Sequence, residues 1–220
     1  MNPDREQLVK ELDLTQRINY EVIETLASLG PATFVISTIN ALLAFFILRI
    51  TSSRLAITVW LFFMLAIIFT RLLLVMNFWH TDKEEFRIRP WIVAYLGLVY
   101  LTGAGWGLLP FTSAFAEESW AWGFIVFVIA GMAAGGLMTL YVMLSAVIPY
   151  LVFIMLPLIF VLASGDKPAD FAMSVLGGLF LVTMVRSSYY LNNMVNRVIR
   201  LDAENQHLFE FLLKARRVKP

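Results

Sequence analysis

The chain has 220 residues, 60% of them hydrophobic and 15% charged, where an ordinary soluble domain carries about 45–50% and about 25%. The excess sits in long uncharged runs that a water-soluble core cannot absorb, and a net charge of +1 gives no electrostatic basis for binding nucleic acid. No cysteine is present, which excludes disulfides, thiolate zinc sites and iron–sulfur clusters together.

The first element is amphipathic. Leu8, Leu12, Ile18, Val22, Leu26 and Leu29 recur at helical spacing, with Glu11, Arg17, Glu21 and Glu24 on the other face. Residues 1–30 are therefore expected to form a helical segment, either lying among the headgroups or packed as a lead-in to the first span. No apolar stretch follows a basic start, so a cleaved signal peptide is not expected.

Spans follow from length. A hydrocarbon core about 30 Å thick needs roughly 20 apolar residues of helix. The runs that qualify are 31–48, 55–76, 91–110, 121–141, 146–163 and 169–190. Residues 121–163 form one uncharged block, too long for a single crossing; the break is expected near Tyr141–Ala146, ahead of Pro149. Strands are excluded because the runs lack a period of two and open sheet edges cannot face lipid. The fold class is thus all-α, an integral membrane six-helix bundle over 31–190, with five spans as the minor alternative.

Orientation follows the basic residues. With both ends in the cytoplasm, thirteen Lys and Arg fall inside and only Arg49, Arg54 and Lys167 outside. Trp79, Trp91, Trp120 and Trp122 stand at predicted span ends, where indole rings favour the interface.

Within the spans, one charge stands out. Arg71, in Ile67-Ile-Phe-Thr-Arg71, either snorkels to the headgroups or anchors an acidic ligand or a carbonyl. Gly103-Ala-Gly-Trp106-Gly107 and Gly131-Met-Ala-Ala-Gly135-Gly136 are small-residue patterns that let helix backbones approach closely. They either pack spans three and four on a neighbour or, with Trp106, wall a ligand cavity. Pro149 and Pro157 are expected to kink span five. Arg71, Trp106, Gly131, Gly135 and Pro149 are the candidate ligand-binding residues.

Beyond the last span, residues 191–220 carry a heptad seam. Leu191, Val198, Asn205 and Leu212 fall at position a; Met194, Leu201, Leu208 and Ala215 fall at d. Leucine at d with valine at a favours a parallel dimer, and a single asparagine at a fixes register. The seam runs back to Ser187 without a hinge residue, so a cytoplasmic coiled coil is expected to continue the sixth span and to make the chain a homodimer. The competing reading is an amphipathic helix packed on its own bundle. A coiled coil ending at Val218-Lys219-Pro220 implies an output domain further on.

Catalytic chemistry is not expected. No Asp or Glu lies in the interior of a span, which removes a carboxylate proton relay. His80 and His207 are the only histidines and neither lies in a span, and no nucleophile–base set, metal motif or phosphate loop is present. No metal or cofactor is expected.

Several short stretches resemble a known family: Asn40-Ala-Leu-Leu-Ala-Phe, Thr70-Arg71-Leu-Leu-Leu, Gly105-Trp106-Gly107-Leu-Leu-Pro110-Phe111, Ala130-Gly131-Met-Ala-Ala-Gly135, Ile148-Pro149-Tyr150 and Asn205-Gln-His-Leu. In these the chain resembles the six-span sensory (MASE-like) modules of bacterial membrane histidine kinases and of diguanylate cyclases or phosphodiesterases. The resemblance implies a sensor in the bacterial inner membrane that relays a signal to a kinase or cyclic-dinucleotide enzyme, with a small apolar molecule as one class of signal. It carries no ligand residue over to this chain. The alternatives are a small transporter or channel-like protein, disfavoured by the missing intramembrane acids and paired broken helices, and a passive membrane anchor.

Overall fold

The computed structural model describes residues 22–81, 88–112 and 119–217, with the side chains of Ser119 and of 199–217 left out. Every described element is helical: α1 (22–28), α2 (Gly30–Leu48), α3 (Arg54–His80), α4 (Ile88–Gly107), α5 (Leu109–Thr112), α6 (Ser119–Leu140), α7 (Leu144–Ala163) and α8 (Pro168–Arg217). Six of these are long and apolar enough to cross a membrane, in the order the sequence implies. The turn between the fourth and fifth spans falls at 141–143, at the edge of the expected break.

Helix boundaries have local causes. α2 follows α1 with scarcely a break, because Leu29 keeps helical torsions and its carbonyl accepts from Thr33 N–H at 3.3 Å. Pro31 stands in the first turn, where its missing N–H costs nothing. α4 stops at Gly107 because Pro110 cannot donate to the helix and restricts the residue before it. α5 then closes that end as a single turn.

α2, α3, α4, α7 and α6 form a ring, each packed on the next and α6 returning to α2. α8 lies outside it, packed on α7 and touching α6. Only 6% of its most apolar window is buried, against 44% for α7. The core is built by Ile57, Met64, Tyr95, Val99, Trp106, Ile125, Ile129 and Leu151, all with almost no exposure. Large side chains such as Phe62, Phe127 and Phe160 face outward, as expected where lipid rather than water is the solvent.

One end of the bundle carries Gly30, His80, Ile88 and Leu140 and is called the near end; α1 lies on this side, and α8 leaves the bundle there. The far end carries the loops 49–53 and 164–167. Residues 8–21 of the expected amphipathic helix lie outside the described residues. Its last turns are helical, and Ile23, Leu26 and Ala27 are fully buried in the core, so this portion is a packed lead-in. Trp91, expected among the interfacial indoles, is instead buried between α3 and α4, 5.7 Å from Phe78 and stacked at 5.0 Å on Tyr95. Its amphipathic ring finds the Leu74 carbonyl as a partner, at 3.3 Å, inside the protein.

Candidate functional site

The prolines of α7 organise the centre of the ring. Pro149 has no N–H, so the Ser145 carbonyl four residues earlier loses its helical donor. The Tyr100 hydroxyl of α4 supplies the replacement, donating to that carbonyl at 2.7 Å. Pro157 likewise removes the helical donor of the Phe153 carbonyl. That oxygen lies against Gly107 of α4, in the volume a Cβ would occupy, and Gly103 meets the Tyr150 carbonyl at 3.0 Å from the same hypothetical atom. Gly103 and Gly107 therefore exist to let α4 approach the opened stretch of α7. Gly105 points the other way and makes room for the Met64 sulfur of α3.

The second glycine pattern divides differently. Gly131 and Gly135 face outward, and a Cβ at either would touch nothing within 4 Å. Gly136 is the packed member: the Tyr150 ring fills the notch it leaves, and the Tyr150 hydroxyl donates to the Met132 carbonyl at 3.1 Å. Gly131 and Gly135 thus wall no cavity with Trp106. The sequence pattern could not separate these glycines, because α6 is apolar all round and has no polar face to mark its outside.

Trp106 is fully buried, its ring meeting Trp60 edge-on at 5.4 Å. The Trp60 indole N–H donates to the Gly105 carbonyl at 2.7 Å, satisfying one of the acceptors left over where α4 ends. The Trp106 Nε1, by contrast, has no hydrogen-bond partner.

Arg71 is half-buried in the near half of the ring. Its Nη2 donates sideways to the Tyr95 hydroxyl of α4 at 2.9 Å, and its Cζ stands 5.1 Å from that ring's centroid. With Ser37, Thr33 and Thr102 it lines a cavity of about 20 Å³. Thr33 and Thr102 donate their own hydroxyl protons to Gly30 and Leu98 carbonyls, at 2.8 and 2.7 Å, so both offer only lone pairs there.

Two features involve α8. Between α6, α7 and α8, toward the far end, lies a cavity of about 280 Å³ lined by Met155, Leu158, Met173, Leu176, Gly177 and Phe180 among others, all apolar. At the near end, Asn192 of α8 is buried against the 141–143 turn. Its Nδ2 donates to the Tyr141 and Val142 carbonyls at 2.9 and 2.7 Å, and its Oδ1 accepts from Asn196 at 3.0 Å. Both amide protons and the amide oxygen are engaged, which fixes the rotation of α8 where the helix leaves the bundle. Leu191 packs half-buried on the core, whereas Met194 and Val198 are more than half exposed. Leu201, Asn205, Leu208 and Leu212 of the expected seam lie outside the described side chains; the backbone there is helical to Arg217.

Sequence reasoning singled out Arg71, Trp106 and Pro149, and the structure places them in three different contacts rather than one site. It missed Tyr95, Tyr100 and Asn192, and it named Gly136 only as part of the glycine pattern. Tyrosine hydroxyls opposite proline-freed carbonyls were the one available signal. Among the described residues no group of His, Asp and Glu could hold a metal ion.

These features define a multi-pass α-helical membrane protein with a peripheral sixth span that continues beyond the bundle. No protein-family model, curated protein or solved structure matches the chain.

Proposed function

We propose that this chain is a membrane sensor module that dimerises through α8 and relays a signal along it to a cytoplasmic output domain, a histidine kinase or a cyclic-dinucleotide enzyme. The observation that carries the reading is the continuity of α8. It runs 50 residues without a break, about 75 Å at the helical rise of 1.5 Å per residue, far more than one crossing needs. A rigid element of this kind carries a rotation or shift from one end to the other.

Three further observations support it. α8 is the least buried span, so its packing on α7 can change without dismantling the ring. The apolar cavity of about 280 Å³ uses α8 residues for part of its wall, so a small apolar signal molecule there would bear directly on the helix; an engineered apolar cavity of about 150 Å³ already takes benzene. The exposed Met194 and Val198 occupy seam positions d and a, as an unpaired dimer face would. In this reading both termini are cytoplasmic and the membrane is the bacterial inner membrane.

The test joins a histidine-kinase output half to α8 and deletes four residues after Leu191. The deletion shortens the helix by about 6 Å and turns the seam out of register. Kinase output is expected to lose its regulation while membrane insertion persists. Unchanged output and regulation would leave the chain a passive anchor.

A further inference from the structure

Among the described residues, Arg71 has no counter-charge beside it. The three helices that surround it, α2, α3 and α4, contain no Asp or Glu at all, and among the described residues it makes no ion pair; Glu24, on α1, is not its partner. A guanidinium has five N–H donors, and the Tyr95 hydroxyl takes one. An uncompensated charge away from water is costly unless paired and hydrogen-bonded.

Its depth says what could pair with it. α2 has 19 residues, about 28 Å at 1.5 Å per residue, close to the hydrocarbon thickness. Gly30 at its near end packs on Val75, with a hypothetical Cβ 3.1 Å from that side chain. Arg71 lies one turn deeper than Val75, about 6 Å inside the boundary, within reach of groups in the headgroup layer. The cavity it lines is about 20 Å³, room for roughly one water. No whole ligand fits, but one terminal oxygen of a headgroup does.

We propose that Arg71, held by Tyr95 and assisted by the buried Ser37 hydroxyl, binds the oxyanion of an anionic amphiphile whose chain lies along the half-buried Phe34 and Leu72. Guanidinium geometry matches phosphate and carboxylate alike, so the occupant is a phospholipid headgroup or a free fatty acid. The site needs only that α2–α4 lie in a bilayer and does not depend on the relay reading.

The test reconstitutes the full chain in phosphatidylcholine bilayers containing phosphatidic acid in one arm and oleate in the other, and counts retained amphiphile by native mass spectrometry. Wild-type protein is expected to retain an anionic species, and Arg71→Gln to retain at least about tenfold less, the scale of a charge-assisted contact. Retention confined to the phosphatidic acid arm assigns a lipid phosphate; retention confined to the oleate arm assigns a free carboxylate. Ser37→Ala, which leaves the Arg71–Tyr95 pair intact, is expected to weaken retention about threefold. Equal retention by wild type and Arg71→Gln in both arms overturns the proposal. Should Arg71→Gln not fold, full retention by both Ser37→Ala and Tyr95→Phe, which frees the guanidinium from its holder, overturns it equally.

Discussion

Two glycine patterns with the same spacing should respond to alanine in opposite ways. At Gly107 a methyl group would meet the Phe153 carbonyl oxygen and, at 3.0 Å, the Pro157 ring. Both are parts of the α7 backbone or locked to it, between two prolines, so neither can swing aside as a flexible side chain would. Overpacking of this kind costs about 1–3 kcal/mol, and the better helix propensity of alanine returns at most about 1 kcal/mol. Because Gly107 is the last residue of α4, only about half of that gain is realised, and Gly107→Ala is expected to destabilise by about 0.5–2.5 kcal/mol. At Gly131 and Gly135 a methyl group meets nothing within 4 Å, so only the propensity gain of up to about 1 kcal/mol remains. The measurement is the reversible unfolding of each variant in mixed micelles titrated with denaturing detergent. The packing of α4 on α7 would be refuted by a neutral Gly107→Ala. A Gly131→Ala as damaging as Gly107→Ala would mean that the outward face of α6 is covered in the membrane.

The paired tryptophans give a second contrast by the same assay. Trp60→Phe removes a bond to the Gly105 carbonyl and should cost about 1–2 kcal/mol beyond lost packing, whereas Trp106→Phe removes a buried donor with no partner and should cost less than Trp60→Phe. The reverse order would show that Trp106 Nε1 is satisfied in the membrane by a water or a ligand. Asn192→Ala removes three side-chain bonds and is expected to cost about 1–3 kcal/mol and to speed amide exchange in 188–198; unaltered exchange there would mean that the latch does not hold α8. Tyr100→Phe uncovers the Ser145 carbonyl and should cost about 0.5–1.5 kcal/mol, with no cost if water reaches that oxygen.

The six spans were legible because a bilayer imposes a length on each helix independently of its neighbours, and the turn at 141–143 because 121–163 could not be one crossing. Partners were not legible. α3, α6 and α7 are apolar on every side, so periodicity does not tell the lipid face from the protein face. That is why Gly131 and Gly135 looked equivalent to Gly103 and Gly107, and why Gly136, in the same pattern, was not told apart from them. Trp91 stands at a span end as its position suggests, but only the fold shows that Phe78 and Tyr95 enclose the ring. Arg71 was recognised as unusual from sequence, whereas its lateral reach to Tyr95 depends on the spacing of α3 and α4. Asn192 sits beside the heptad seam and reads as a solubilising residue until the turn it binds is brought against it.

The central claim is that α8 emerges from the bundle as half of a parallel dimer. Because the chain contains no cysteine, single cysteines can be placed in turn along residues 194–215 and oxidised in native membranes. The proposal predicts strong crosslinks at Val198, Leu201, Asn205 and Leu208 with weak ones between them, the a and d rhythm of a two-stranded coil. Uniformly weak crosslinking would contradict it and leave α8 a helix that serves its own chain alone.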